Sequence, residues 1–158
     1  MKLLLVQHGE AKSEKEDPKR PLTDRGRAEV HKVAQFLEKA GVEIDQLWHS
    51  SKARAKETAQ IIADTLKVEE LCEETEGLTP NDPVEPIVKR IDQLRPEDEI
   101  ENLMIVSHLP LLQKLSSILL LGPSAGTLVQ FHLGGAVCIE RQNRGAWQFV
   151  WAIVPELL

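Results

Sequence analysis

Three short stretches of this chain carry residues that could do chemistry together. His8 follows Leu3-Leu4-Leu5-Val6-Gln7 and precedes Gly9-Glu10; Arg54 closes the polar run His49-Ser50-Ser51-Lys52-Ala53; His108 follows Ser107 and precedes Leu109-Pro110. Each lies where an aliphatic run gives way to polar residues, which is how a buried strand ends. Two imidazoles and a guanidinium gathered near helix starts suit phosphate. Helix starts offer unpaired N–H groups and partial positive charge, and arginine adds paired donors that match phosphate oxygens. A neutral imidazole can attack phosphorus and form a phosphohistidine intermediate, while a second histidine stabilises charge on the transferring group. Such a site needs no metal or other cofactor if the protein supplies the positive charge.

Elements of alternating type must bring these residues together. Residues 3–6 read as a strand, and residues 11–20, dense in Lys, Glu and Asp, as a solvated loop above its end. Thr23 caps a helix with an apolar face of Ala28, Val30, Val33, Ala34 and Leu37, which Gly41 stops. Residues 44–48 form a second strand, and a helix from about Lys52 carries Ala55, Ala59, Ile62 and Leu66 on one face. Residues 68–72 are a third strand on weaker grounds, because glutamates surround them. The Thr79-Pro80-Asn81-Asp82-Pro83 turn opens a helix through Ile87, Ile91 and Leu94. Residues 102–106 are a strand, followed by a helix with Leu111, Leu112, Leu115, Ile118 and Leu119 that ends at Gly122-Pro123. Strands over 128–132, 136–140 and 147–153 complete the chain, with Asn143-Arg144-Gly145 as a hairpin turn. This alternation predicts an α/β fold: a three-layer α/β/α sandwich whose mostly parallel sheet has an antiparallel C-terminal edge. In such sheets ligands bind beyond the carboxyl ends of the strands, so His8, Arg54 and His108 are expected on one rim.

Composition bounds the alternatives. A chain of 158 residues is expected to be a single domain, residues 1–158, and 42% apolar with 28% charged residues describes a globular protein. A net charge of −6 argues against nucleic acid or an anionic membrane as partner. Nothing resembles a secretory signal, so a cytoplasmic, monomeric protein is expected. Cys72 and Cys138 form neither a CxxC pair nor a cluster with histidine, and no HxH or HExxH spacing occurs, so neither a disulfide nor a metal site is indicated. His31 and His132 read as structural or exposed. Trp147 and Trp151, four apart on one strand, are expected to face the same side.

Taken together, residues 5–11, Pro21-Leu22-Thr23 with Gly26, Ser50 through Arg54-Ala55 with Thr58-Ala59, and Val106-Ser107-His108-Leu109-Pro110 resemble the histidine phosphatase superfamily. Within it, the small size and the Ser-His-Leu-Pro signature look most like SixA-type phosphohistidine phosphatases. The resemblance runs over roughly residues 3–120. It implies a phosphoglycerate mutase-like fold, no cofactor, His8 as nucleophile, His108 as the second histidine and Arg54 as charge clamp. It also implies phosphate contacts from the neighbourhood of Gln7, Gly9, Arg20 and Ser107. The partner would be a phosphohistidine-bearing protein, such as a phosphotransfer domain, or a small phosphorylated substrate.

One position departs from that pattern. Relatives place arginine immediately before the nucleophile, and this chain has Gln7, which keeps a neutral donor but lacks the charge and the bidentate fork. A charged hydrogen bond is worth about 1.5–3 kcal/mol, or roughly ten- to a hundredfold, so phosphate affinity and turnover should both suffer. Lys12, Lys15 or Arg20 would have to restore charge. A general acid is expected from Asp17 first, then Glu10, with Glu76 and Asp82 as further carboxylates. Three readings stay open: a phosphohistidine phosphatase, a small phosphomonoesterase acting on a sugar phosphate or nucleotide, and a phosphoprotein-binding module in which Gln7 marks lost turnover.

Overall fold

The computed structural model describes residues 1–94, 99–123, 126–143 and 145–158. The strands are β1 (Lys2–Gln7), β2 (Gln46–His49), β3 (Cys72–Glu74), β4 (Asn102–Ser107), β5 (Ala136–Arg141) and β6 (Trp147–Ile153); the helices are α1 (Asp24–Lys39), α2 (Ala53–Leu66), α3 (Glu85–Gln93) and α4 (Leu111–Leu121). They form one six-stranded sheet in the order β3-β2-β4-β1-β5-β6. The first four of these strands run parallel, whereas β5 is antiparallel to β1 and β6 to β5. This is the expected α/β architecture with an antiparallel edge.

Strand alternation sorts the core into two layers. Leu4, Val6, Leu47, Met104, Val106 and Cys138 face α1 and α2, while Leu3, Leu5, Trp48, Leu103, Ile105 and Ile139 face α3 and α4. Strands buried on both faces are near-continuous aliphatic runs because neither side can be polar. At the far end of the sheet from the histidines, the Asp45 carboxylate accepts hydrogen bonds from the N–H of Glu101 (2.9 Å) and of Asn102 (2.7 Å), pinning the start of β2 to that of β4.

Thr23 caps α1, its hydroxyl accepting from the Gly26 N–H at 2.9 Å, and Gly41 follows the helix with φ +68°. The buried stripe of α1 differs by one member from the expected one: Gly26 lies on it and Ala28 is exposed. Residues 26, 30, 33, 34 and 37 share a helical face, whereas position 28 is turned most of the way round from it. Gly26 is required there. A Cβ at this position would come within 2.2 Å of the Glu10 carbonyl oxygen, so α1 crosses the chain just after His8 at backbone contact.

Four other local expectations change. The third strand starts at Cys72, because Glu69–Leu71 is a 3-10 turn. Residues 128–132 form no strand; Val129 and Phe131 are buried in alternation, but the segment packs side chains on the α3/α4 face without joining the backbone ladder. The loop over 11–20 is a closed turn, with Ala11 bridged to Leu22 and the Ser13 N–H and hydroxyl both donating to Glu16. Trp147 and Trp151 fall on opposite layers. Cys138 pairs with Trp151 and Ile139 with Phe149, so Val150 is an extra residue in β6, and this bulge reverses the alternation beyond it. In the β5–β6 turn the Gly145 N–H donates to the Gln142 carbonyl at 2.7 Å; Arg144 of the expected turn lies outside the described residues.

Candidate active site

Parallel register brings the two histidines together. Gln7 at the end of β1 is the partner of Ser107 at the end of β4, and the His8 N–H donates to the Ser107 carbonyl at 3.0 Å. The next residue of each chain segment is therefore delivered to one place. The rings of His8 and His108 lie 4.9 Å apart, tilted by 56°. From β2, the neighbour of β4 on the other side, the chain turns into α2 and places Arg54 in its first turn. The Arg54 Nε–H donates to His8 Nε2 at 3.2 Å.

The hydrogen bonds of His8 decide its tautomer. Its Nδ1 lies 2.7 Å from the Gly9 carbonyl oxygen, an acceptor only, so Nδ1 carries the proton. Nε2 then has a free lone pair, which is why Arg54 can donate to it. Burial pushes the His8 pKa down to about 4, with Arg54 and Arg20 adding to the effect against the opposing bond to Gly9. Burial also brings His108 to about 3, helped by the positive charges of Arg54, Lys52 and Arg20 and by His8. Both imidazoles are neutral at pH 7. His8 thus presents a lone pair at Nε2 beside a guanidinium, the arrangement a phosphorus nucleophile needs.

His108 is held by Ser50, whose Oγ lies 2.9 Å from its Nε2; its Nδ1 is buried and has no hydrogen-bond partner among the described residues. Gly9 packs so tightly that a Cβ would meet Val30 at 2.8 Å and the Gly26 carbonyl oxygen at 3.0 Å. Its N–H is already used, donating to Thr58 Oγ1 at 3.0 Å, while the Thr58 hydroxyl donates to the Arg54 carbonyl at 2.7 Å. Thr58 therefore ties the backbone beside His8 to the helix turn that carries the guanidinium. A turn through Gly134 closes the other flank, its N–H donating to the carbonyls of Gln7 (3.0 Å) and His8 (3.1 Å).

Arg20 reaches the site by charge. Burial is the main cause of the lowered pKa of His8, His108 and Arg54, and the Arg20 charge adds to it at each. Arg20 adopts φ +51°, unfavourable for a side chain of this size, and is held by its N–H to the Asp17 carbonyl (2.9 Å) and its Nε–H to the Lys12 carbonyl (3.1 Å). Lys12 and Lys15 are exposed on the same loop.

The remaining expected residues are placed as follows. Ser107 is fully buried and its hydroxyl donates to the Leu78 carbonyl at 2.7 Å, so it braces the loop after β3. The Gln7 side chain is buried, with Oε1 lacking a partner among the described residues. Glu10 accepts from the Thr23 hydroxyl at 2.7 Å and lies 3.9 Å from Arg25. Asp17 accepts from the Lys19 N–H at 2.9 Å, and Asp82 from the Thr79 N–H at 2.7 Å; Glu76 is exposed. His49 is buried, with Nδ1 2.9 Å from the Ser50 carbonyl oxygen, while His31 is exposed and His132 faces Glu156 at 4.0 Å. Sequence reasoning gave no role to Gly134, Lys52 or the Thr58 hydroxyl. The Gly134-Gly135 pair was the available signal for a turn against the site. Among the described residues no group of histidine, cysteine or carboxylate side chains is arranged to hold a metal, and no helix is long and apolar enough to cross a membrane.

Comparison with known proteins places these features in a family setting. Residues 3–79 match the family model of the histidine phosphatase superfamily, branch 1. The chain is 28% identical over 156 residues to phosphohistidine phosphatase SixA of Escherichia coli strain K12, covering 98% of this chain and 94% of that protein. A solved structure of the protein histidine phosphatase SixA complexed with tungstate superposes with a TM-score of 0.88 at 27% identity, covering 99% of each chain. The alpha-ribazole phosphatase of Shigella flexneri shares the fold, with a TM-score of 0.73 at 17% identity over 98% of this chain and 94% of its own.

Proposed function

Since the chain belongs to the histidine phosphatase superfamily, we propose that it is a phosphatase that hydrolyses phosphohistidine on a protein through a phosphoenzyme at His8. The observation that carries the reading is the neutral His8 with its Nε2 lone pair beside the Arg54 guanidinium, 3.2 Å away. In the first step His8 Nε2 attacks phosphorus, and the bond from phosphorus to the substrate imidazole breaks; that imidazole leaves with a proton. In the second step water attacks the phosphohistidine at His8, releasing phosphate and restoring the neutral ring. Arg54, Arg20 and the neutral His108 share the charge on the transferring group.

Two things favour a phosphoramidate substrate. The SixA relative and the SixA structure that this chain resembles carry that activity in their names. The carboxylates nearest to a general-acid role, Glu10 and Asp17, are engaged by Thr23 with Arg25 and by the Lys19 N–H. An alkoxide needs a proton donor to leave, whereas an imidazole leaves readily once protonated from solvent. The fold shared with an alpha-ribazole phosphatase keeps a small phosphomonoester as the second reading.

The test compares a phosphotransfer protein phosphorylated on histidine with p-nitrophenyl phosphate as substrates. The expected result is faster release from phosphohistidine, trapping of an acid-labile phosphoenzyme, and loss of both in His8→Ala. Preference for the ester would favour the small-substrate reading. Binding of phosphoprotein without any release would leave a binding module.

A further inference from the structure

Next to Thr58 on α2 stands a carboxylate that the site chemistry does not use. A single oxygen of Glu57, Oε2, accepts from the Leu22 N–H at 3.1 Å and lies 2.7 Å from the Arg27 guanidinium. We infer that Glu57 is a positioning residue for the proposed phosphatase reaction: it holds the walls of the slot that seats Gly9 and so keeps the Gly9 carbonyl on the His8 ring. The inference rests on the reading of His8 as the phosphorus nucleophile.

The walls of that slot can be named. A Cβ at Gly9 would come within 3.2 Å of the Leu22 side chain and 3.0 Å of the Gly26 carbonyl oxygen, so both pack directly on the glycine backbone. Glu57 holds each from behind: Leu22 by its own N–H, and Gly26 through Arg27, the next residue along α1. Thr58 holds the Gly9 N–H at 3.0 Å. Consecutive residues of α2 therefore fix the glycine from two directions. What they fix is the acceptor for the His8 Nδ1 proton, 2.7 Å away, and that bond leaves the Nε2 lone pair facing Arg54.

Burial makes the Leu22 bond matter more than the ion pair. Leu22 is 2% exposed, and removing the Glu57 oxygen would leave its N–H a buried donor without its acceptor, which is costly. A carboxylate is the stronger kind of acceptor for such a bond. The same peptide is held on its other side, where the Pro21 carbonyl accepts from the Lys12 N–H at 2.8 Å. The Arg27 side chain is 44% exposed, so its pairing with Glu57 is screened by water and adds little. Mutation separates the two contacts of this oxygen: Glu57→Gln keeps an acceptor and gives up the ion pair, Arg27→Met gives up only the ion pair, and Glu57→Met gives up both.

The experiment measures kcat and KM with p-nitrophenyl phosphate, and the tautomer of the His8 ring by two-bond proton–nitrogen NMR correlation, in the parent and in these variants. Glu57→Met is expected to lower kcat by about tenfold with KM within about twofold, as for a reacting group that is misplaced while substrate still binds. Its His8 ring signals should move away from the pure Nδ1–H form. Glu57→Gln should stay within about threefold of the parent and Arg27→Met within about twofold, both with the parent's ring signals. Should Glu57→Met fail to fold, Glu57→Asp keeps the charge but draws the oxygen back from the Leu22 N–H, and the same fall in kcat and change of ring signals are expected. A tie that is only structural would lower the melting temperature and leave kcat and the ring signals of the folded protein unchanged; that result overturns the inference, as does a loss in Arg27→Met equal to that in Glu57→Met. If the parent turns nothing over, the phosphatase reading falls and the ring signals alone decide the role of Glu57.

Discussion

Acid should destabilise this protein through its two buried histidines, His8 and His108. His8 and His108 are held at pKa values of about 4 and about 3, against 6.5 for a free imidazole. A histidine whose pKa is depressed by folding binds its proton more readily when unfolded, so folding is fully favoured above pH 6.5 and loses ground as the pH falls towards the folded values. Between pH 7 and pH 5 the linkage for His8 amounts to about 2 kcal/mol, and for His108 to a similar or somewhat smaller amount, because solvent near the rim screens its charged neighbours. Together they remove about 3–4 kcal/mol, a large part of the 5–15 kcal/mol typical of a domain. Urea unfolding at pH 7, 6 and 5 measures the loss directly. His8→Gln should recover about half of it, since glutamine does not titrate, and direct titration of the ring protons by NMR should place the His8 midpoint near 4. A His8 midpoint near 6.5, or a pH 5 loss unchanged in both His8→Gln and His108→Gln, would refute the picture of two neutral, buried imidazoles.

Three further outcomes follow from the packing around the site. Thr58→Val keeps the shape but leaves the Gly9 N–H without its acceptor, so stability should fall by about 1–3 kcal/mol, seen as a lower melting temperature. Gly26→Ala forces a methyl group to within 2.2 Å of the Glu10 backbone oxygen, which cannot be met by a side-chain shift; a loss of at least about 1–3 kcal/mol is expected, with reduced phosphate binding as α1 is pushed off the chain after His8. Ser50→Ala removes the partner of His108 Nε2, and kcat should fall by about tenfold with KM little changed, because the ring is no longer oriented.

Much of the fold was legible because the parallel strands are buried on both faces. Residues 3–6 and 102–106 are aliphatic runs with no polar alternative, and each ends in a histidine. Arg54 was legible for a similar reason, since strand, polar turn and helix recur around it. What escaped depends on pairing that one segment cannot report. Residues 128–132 alternate like a strand, yet β5 takes the place beside β1, and the segment buries Val129 and Phe131 without a ladder. The Trp147 and Trp151 pair was misjudged because a bulge is a property of two strands, and nothing in Phe149-Val150 announces it. At the site, Gly9 and Ser107 have the residue types of phosphate contacts, but the N–H of one is used by Thr58 and the hydroxyl of the other by Leu78. Local sequence shows which groups are available, and only the fold shows which are already engaged.

The sheet order also governs how the site comes into being. Of the six strands β1 is made first, yet its two neighbours are β4 and β5, with Lys2 paired to Asn102 on one side and to Glu140 on the other. About a hundred residues must follow before either edge is covered, and pairing across such separations is slow because chain closure costs entropy before contacts form. An apolar strand waiting with both edges open is a template for wrong partners. A chain cut before Ala136 would hold every proposed catalytic residue and still lack the strand that covers the second edge of β1. The antiparallel hairpin shields the strand that leads into His8, and synthesis of β5 is what covers that strand's second edge.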